Sequence, residues 1–384
     1  MHRMAILGST GSIGRQALQV ASLHRDKYKV TALCAHKNSE LLFQQARETG
    51  AEVLALTGGE TQIPDDLKGR EWYFGPSALE KIAADESNDT VLAAVVGVVG
   101  LGSVLTARKY GKRVLLANKE TLVAGGELVM KMCEPNDDGP VLLPVDSEHS
   151  AIFQCLKGEE ENPLSRIWLT ASGGPFRTWE KDRIWNATVE QALGHPTWNM
   201  GSKITVDSAS MFNKALEVIE AKWLFGAEPE QIKVAVHPQS VVHSMVEFAD
   251  GGIKAQLGFP DMRLPILYAM SYPERWETGI RKADFELLRH LTFEEPDTEK
   301  FHAIRLAYEV LQEGGTAPCM LNAANEMAAF AFLDRRIPFG RIEEIVEETL
   351  EAIPVKRAES YDAILEADAS AREKASELIR QEKK

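Results

Sequence analysis

The chain reads as an α/β protein with a parallel, doubly wound sheet at its N-terminus and a group of helices at its C-terminus. Three observations predict this. Up to about Val145, short continuous apolar runs alternate with helical stretches, and strands buried on both faces of a parallel sheet give such runs. The first apolar run leads through a glycine-rich turn, Gly8-Ser-Thr-Gly-Ser-Ile-Gly14, into the first helical stretch. Residues 299–384 carry four helical patterns, near 299–313, 317–335, 341–353 and 360–382.

Length and charge narrow the field. The 384 residues suffice for two or three domains and a substantial core. The net charge of −14 argues against a nucleic-acid or anionic-membrane surface, which needs a basic stripe. Small anions remain possible ligands, because a few local cations suffice for them. Cys34, Cys133, Cys155 and Cys319 are far apart and form no CxxC pair. That fits free thiols in a reducing cytosol, so a cytoplasmic protein is expected. The N-terminal MHRMAILGSTG enters a strand pattern at once, without a signal-peptide pattern. The longest apolar run, Val91 to Leu101, is short for a membrane span and is broken by Gly97 and Gly100.

Strands are expected at Met4–Leu7, Lys29–Ala35, Val53–Leu56, Thr90–Val96, Val114–Leu116 and Val141–Leu143. In the first turn Thr10, Gly11, Ser12, Ile13 and Gly14 would let the backbone approach a pyrophosphate at a helix N-terminus. The spacing is GxxGxxG rather than the commoner GxGxxG, and a tight turn without ligand is the alternative. An acid after the second strand would hold the ribose hydroxyl of NAD; this chain has His36, Lys37 and Asn38 there. Cationic and polar groups suit the 2′-phosphate of NADP, the alternative being a polar turn. These features describe a Rossmann-like NADP domain over 1–145. Asn118, Lys119 and Glu120 follow a strand at the carboxyl edge, where ligands bind, although a surface helix start also begins this way.

In Pro144 to His149, read as extended, Asp146 and Glu148 point to one side. Two carboxylates sharing a face suit a divalent cation, and hard oxygen donors suit Mg²⁺ or Mn²⁺. A solvent-facing acidic turn is the alternative, and Glu217 is the candidate third ligand. His195 to Glu220 reads as a lid loop, a short strand at Lys203–Val206, a cap at Asp207 or Ser208, and a helix. Asn213, Glu217 and Glu220 would share the polar face of that helix, with Lys214 beside them. Met211, Phe212, Ala215, Leu216, Ile219 and Trp223 would face the core. Ser208 to Met211 at the helix start would favour an anion. An amphipathic helix with a solvated charged face remains the plainer reading.

Leu169 to Phe176 is a second strand followed by a glycine turn, offering Ser172 and backbone N–H groups to a phosphate, or forming a plain turn. His237 to Ser244 reads as a strand with polar groups every third residue, and Gly258 to Pro265 as a proline-bounded segment over a pocket. Residues 278–298 read as a linker. Gly314-Gly315 ends the first C-terminal helix, and Pro318 suits the first turn of the next. A small bundle is expected there, with the charged tail from Ala371 as a solvated helix.

With these residues in view, the chain resembles the 1-deoxy-D-xylulose 5-phosphate reductoisomerase family over nearly its whole length. The resemblance is carried by GSTGSIG, LLANKE, PVDSEHSAIFQ, SGGPFR, HPTWNMGSKITVDSASMFNKALEVIEA, HPQSVVHSMV and LGFPDMR, in that order. It implies a homodimer with an NADPH domain over 1–145, an α+β catalytic domain over 146–277, a linker over 278–298 and a C-terminal four-helix bundle over 299–384. It implies Mg²⁺ or Mn²⁺, with Co²⁺ as a further option, on Asp146, Glu148 and Glu217. It places the substrate phosphate among Ser172, Ser208, Asn213 and Lys214, and the substrate hydroxyls on Lys119 and Ser147. His195 and Trp198 belong to a lid, Ser240 and His243 shape the site, and Asn118, Glu120, Gly201, Pro260 and Met262 lie beside the cofactor. His36 departs from the glycine common in the family, leaving open the details of 2′-phosphate contact but not the preference for NADPH.

The activity so implied is rearrangement of the carbon skeleton of 1-deoxy-D-xylulose 5-phosphate, then reduction to 2-C-methyl-D-erythritol 4-phosphate, a step of the non-mevalonate isoprenoid pathway. The metal would act as a Lewis acid on the ketone and a neighbouring hydroxyl, by a retro-aldol or an α-ketol route. The rivals are an NADP-dependent semialdehyde or homoserine-type dehydrogenase and a non-catalytic NADP-binding protein. The first needs a nucleophilic cysteine in its semialdehyde form, and the second gives no reason for three carboxylates.

Overall fold

The structure, a computed structural model, describes residues 1–134, 139–159, 161–198 and 200–382. The chain forms two compact units, one of residues 1–121, 129–150 and 261–280, the other of residues 122–128, 151–260 and 281–384. Asn199 of the expected lid and the last two residues of the charged tail lie outside the described residues.

The first unit begins β1 (His2–Leu7), α1 (Ser12–Leu23), β2 (Tyr28–Ala35), α2 (Ser39–Thr49), β3 (Val53–Leu56), β4 (Glu71–Phe74), α3 (Ala78–Ala84) and β5 (Thr90–Ala93). It continues with α4 (Val99–Lys109), β6 (Arg113–Leu116), the two ends of α5 (Lys119–Met130), β7 (Leu142–Pro144) and the start of α6 (Ser147–Leu156). The seven strands lie in the order β4-β3-β2-β1-β5-β6-β7, and every pair is parallel. The continuous apolar runs predict this because Met4 to Leu7, Val91 to Ala93 and Val114 to Leu116 are all fully buried. The strand order reverses between β1 and β5, the point where such sheets open a ligand crevice at their carboxyl edge.

Strand β4 is missing from the expected set, because Glu-Trp-Tyr-Phe at the sheet edge is only half-buried and gives no continuous apolar run. Arg108 Nε donates to the Met132 carbonyl at 3.2 Å. Residues 261–280 contribute α11 (Arg263–Ser271) to this unit, and its Met270 carbonyl accepts from Tyr28 Oη at 2.6 Å.

The second unit contains β8 (Leu164–Ala171), α7 (Lys181–Trp185), α8 (Val189–Ala192), α9 (Ser202–Ala209), α10 (Phe212–Phe225), β9 (Ile232–Val236), β10 (Val242–Phe248) and β11 (Ile253–Leu257). After α12 (Phe285–Leu288) come α13 (Ala303–Glu313), α14 (Ala317–Leu333), α15 (Arg341–Ala352) and α16 (Tyr361–Gln381), which match the four predicted C-terminal helices. The sheet order is β11-β10-β8-β9, with β10 antiparallel to both neighbours and β9 parallel to β8. Ile167, Leu169, Val234 and Val246 of the sheet share one core with Phe212, Leu216 and Ile219 of α10 and with Leu306, Leu321 and Val346 of the C-terminal helices.

Lys203–Val206 is helical, inside α9, despite its β-branched residues. Tertiary burial of Thr205, Val206, Asp207 and Ala209 at helical spacing overrides the local preference. Asp207 therefore caps nothing; it lies buried within α9. Helix α10 has no solvated polar face, since Lys214, Glu217 and Glu220 are as buried as Ala215 and Ile219, which marks a helix enclosed on all sides. Asp146 and Glu148 do not share an extended segment, because α6 starts at Ser147. His237 to Ser244 is not one strand: β9 ends at Val236, and Ser240 turns the chain at φ +52° before β10. The linker is partly structured, carrying α12 and an antiparallel bridge between Glu294 and Val236. Among the described residues no helix is long and apolar enough to cross a membrane.

Candidate active site

In the first unit the candidate residues collect at the carboxyl ends of the parallel strands. After β1, Gly8 takes φ +88°, and a Cβ there would lie 2.8 Å from the Ala94 carbonyl carbon. A Cβ on Gly14 would lie 2.6 Å from Ser9 Cα, so only glycine lets α1 start this close to the turn. Gly11 caps α1 without a side-chain hydrogen bond. Thr10, Ser12 and Ile13 are half-buried around it. The first-turn N–H groups of α1 therefore face outward as a cradle for an anion, which fits the pyrophosphate of a dinucleotide.

At the end of β2, His36, Lys37 and Asn38 are all exposed. His36 Nδ1 is 2.9 Å from Thr57 Oγ1. Asn38 is the N-cap of α2, its Oδ1 accepting from the Leu41 N–H at 3.2 Å. At the end of β6, Asn118 Nδ2 donates to the carbonyls of Val95 and Gly97 at 2.9 and 3.1 Å, and to Glu120 Oε2 at 2.8 Å. Glu120 Oε1 accepts from the Gly97 N–H at 3.1 Å. Both side chains thus pin the loop after β5. The exposed Val96 and Val99 flank that pinned Gly97.

At the end of β7, Asp146 closes the N-terminus of α6, its Oδ1 accepting from the Glu148 and His149 N–H groups at 3.1 and 3.4 Å. Lys119 Nζ reaches Asp146 Oδ2 at 2.5 Å, and His149 Nδ1 lies 3.2 Å from Oδ1. Burial opposes ionisation of Asp146, but the Lys119 ammonium and the His149 ring outweigh it and hold the carboxyl well below its usual range. Ser147 Oγ donates to Glu148 Oε2. Met262, at the start of α11, is half-buried.

In the second unit the Ser172-Gly173-Gly174 turn follows β8, with φ +82° and +67° at the two glycines. A Cβ on Gly174 would lie 2.6 Å from the Ser208 carbonyl oxygen, so this turn abuts the end of α9. Ser172 Oγ accepts from the Gly174 N–H at 3.2 Å and lies 3.0 Å from His195 Nε2. His195 Nδ1 accepts from the N–H groups of Thr197 and Trp198 at 3.1 and 2.9 Å, and burial pushes its pKa down. The Trp198 ring stands 6.1 Å from that of His243. His243 and Ser240 are buried, and Gly201 is the exposed cap of α9.

Helix α10 starts after Met211, which takes φ +64°. One turn in, Asn213 Nδ2 donates to Glu217 Oε1 at 2.5 Å, and Lys214 Nζ contacts Glu217 Oε2. Both Lys214 and Glu217 are buried, and a buried ion pair is retained against its desolvation cost only when the geometry is good.

One carboxylate oxygen of Asp146 lies within 4.8 Å of one of Glu148, and Glu217, on α10 of the second unit, offers a further carboxylate. The Asp146 and Glu148 oxygens repel at this distance, and Lys119 offsets only part of the charge. The donor set is all hard oxygen, as Mg²⁺ and Mn²⁺ require, so the residues fit a divalent metal.

Three family models match: a 1-deoxy-D-xylulose 5-phosphate reductoisomerase model over residues 4–126, its C-terminal domain model over 142–225 and a DXP reductoisomerase C-terminal domain model over 257–374. The 1-deoxy-D-xylulose 5-phosphate reductoisomerase of Phocaeicola vulgatus is 50% identical over 381 residues, covering 98% of this chain and 99% of the relative. The chain belongs to the 1-deoxy-D-xylulose 5-phosphate reductoisomerase family. A solved reductoisomerase from Zymomonas mobilis, in complex with NADPH, is 42% identical with a TM-score of 0.89, covering 98% of this chain and 99% of its own. Another, in complex with NADPH, fosmidomycin and magnesium, is 38% identical with a TM-score of 0.89, covering 99% and 98%.

Three contacts of this reductoisomerase chain are not legible in the sequence. Asn325 Nδ2 on α14 reaches Asp207 Oδ1 at 3.0 Å. Arg177 binds both carboxylate oxygens of Glu294, and His237 Nδ1 is 2.8 Å from the Thr292 carbonyl oxygen. Each joins segments more than 50 residues apart, so no local spacing signals it.

Proposed function

We infer that the protein is an NADPH- and divalent-metal-dependent reductoisomerase that converts 1-deoxy-D-xylulose 5-phosphate to 2-C-methyl-D-erythritol 4-phosphate. The observation that carries this reading is the Asp146–Glu148 carboxylate pair within 4.8 Å at the start of α6, in a chain whose relatives bear that activity in their names. Asp146, Glu148 and Glu217 would hold the metal. When bound, Mg²⁺ or Mn²⁺ supplies Lewis acidity to a ketone and its neighbouring hydroxyl. The cradle at Thr10 to Gly14 would hold NADPH, which supplies the hydride. His36 to Asn38 would meet its 2′-phosphate, Asn38 through its amide nitrogen because its oxygen caps α2. Asn118 and Glu120 would act on the cofactor through the loop they pin, with Gly201 and Met262 beside it.

The phosphate of the substrate is assigned to Ser172, Ser208, Asn213 and Lys214. The Ser172 hydroxyl already accepts from Gly174, and it takes a second hydrogen from His195 because His195 Nδ1 is an acceptor. Its own proton is therefore directed to an incoming anion. Rearrangement of the carbon skeleton requires that no fragment escapes, and a held phosphate keeps the reacting carbons together. Lys119 and Ser147 would orient the substrate hydroxyls, and His195 with Trp198 would close over the site. The aldehyde so formed, 2-C-methylerythrose 4-phosphate, is then reduced. A retro-aldol and an α-ketol path use the same residues.

The same reading makes the protein a cytoplasmic homodimer. All four cysteines are free, and the exposed strand β11 at the sheet edge, with Ile253 57% exposed, offers an edge to pair or cover. A semialdehyde dehydrogenase would need a thiolate. Burial pushes Cys34 and Cys319 up to about 12 and Cys155 up to about 11, and it raises Cys133 too, so none is suited to that role.

The test is NADPH absorbance with 1-deoxy-D-xylulose 5-phosphate, with and without Mg²⁺. Loss of absorbance only with both substrate and metal is expected. No oxidation with substrate and Mg²⁺ both present, or full oxidation after chelation, would overturn the reading.

A further inference from the structure

The Ser172-Gly173-Gly174 turn has a support that its own residues do not supply. The segment Thr292–Glu294 lies along the outer edge of the four-stranded sheet and exchanges both backbone hydrogen bonds with β9: Val236 N–H to the Glu294 carbonyl at 2.8 Å and Glu294 N–H to the Val236 carbonyl at 2.9 Å. Next to β9, the His237 N–H donates to the carbonyl of Ala171, the residue before the turn, at 2.6 Å. His237 Nδ1 donates to the Thr292 carbonyl at 2.8 Å, and its ring stacks on Phe293 at 4.7 Å. Gln239 Nε2 holds Thr292 Oγ1 at 2.8 Å. Glu294 is therefore placed by its backbone before its side chain does anything.

Its carboxylate takes Arg177 Nη1 with both oxygens, at 2.7 and 2.8 Å. The stem of Arg177 lies under Gly173, where a Cβ would come 2.6 Å from Arg177 Cδ. Lys300 Nζ adds a bond of 3.3 Å to the Arg177 carbonyl. Behind the turn is a cavity of about 240 Å³ lined by Gly173, Arg177, Met211, Glu294 and Lys300. Gly173 and Met211, which bound the turn and the start of α10, both line this cavity. Arg177 and Glu294 line it too, so their ion pair runs along the wall behind the turn.

We propose that Glu294 is a positioning residue for the phosphate grip: through Arg177 it sets the geometry of the Ser172–Gly174 turn. This rests on the phosphate assignment above. The pair is partly exposed, with side-chain accessibilities of 32% and 47%, so it contributes little to stability. Because the backbone bridge holds Glu294 in place, the carboxylate loses little freedom in holding Arg177. Replacing it disturbs the turn without unfolding the sheet.

The experiment is a double-mutant cycle on the full chain, with Glu294→Gln, Arg177→Met and the pair, at saturating NADPH and Mg²⁺. Each single variant should raise KM for 1-deoxy-D-xylulose 5-phosphate about tenfold, with kcat and the KM for NADPH little changed, and the double variant should be no worse than either single. The inhibition constant of inorganic phosphate should rise in parallel. A support that merely stabilises the fold would lower Tm and leave KM where it was. Unchanged KM in both single variants, or additive rises in the double, would overturn the proposal. A wild-type protein without turnover would instead remove the functional reading on which it stands.

Discussion

His195 Nε2 and Ser172 Oγ lie 3.0 Å apart, and the other ring nitrogen fixes the sense of that bond. Nδ1 accepts from the N–H groups of Thr197 and Trp198, so the neutral ring carries its proton on Nε2 and donates to Ser172. A proton on Nδ1 would oppose both N–H groups. Burial also holds the pKa of His195 below the ordinary value. The unfolded chain, at about 6.5, then binds the proton first as pH falls. This histidine's contribution to stability is complete above about 6.5 and is lost as pH falls through the lower folded value. KM for the substrate should rise over the same window while the KM for NADPH stays flat. His195→Asn keeps an acceptor for the loop and His195→Gln keeps a donor for Ser172, so both should remove that pH dependence. A wild-type KM that is flat down to pH 5 would count against the arrangement.

Lys214 is buried beside Glu217. Lys214→Ala should weaken substrate binding by about 1.5–3 kcal/mol, the scale of a charge-assisted hydrogen bond. Because it also strips Glu217 of a cation, metal affinity should change in the same variant, whereas Ser208→Ala should alter substrate KM alone. Isothermal titration with metal, then steady-state kinetics, separates the two.

Gly14 faces Ser9 at a distance that no side chain tolerates. Gly14→Ala should force α1 away from the turn, with overpacking of about 1–3 kcal/mol and a loss of NADPH affinity read by fluorescence titration. Unaltered NADPH binding would argue against the cradle.

The thiols give a negative control. With all four cysteines buried and raised, a disulfide reagent should react with the native protein only slowly and leave turnover intact. Rapid inactivation would revive a cysteine-dependent chemistry.

What the sequence discloses follows from where each segment is buried. Met4–Leu7 and Val114–Leu116 announce themselves because both faces are covered, whereas Glu71–Phe74 at the sheet edge has a mixed pattern. Lys203–Val206 looks like a strand by its β-branched residues and is a helix, because α14 and the Lys203–Asp207–Asn325 contacts decide its environment. Asp146 and Glu148 read as two residues of one extended segment, but one caps a helix and the other stands in its first turn. The Arg177–Glu294 pair joins positions 117 apart, and no periodicity encodes that separation.

The most direct test of the central claim is Mn²⁺ binding followed by electron paramagnetic resonance, on the wild type and on Asp146→Asn, Glu148→Gln and Glu217→Gln. The account predicts one tight ion per chain in the wild type and at least about a hundredfold loss of affinity in each variant, with NADPH binding and fold retained. Unchanged Mn²⁺ affinity in all three variants would contradict it.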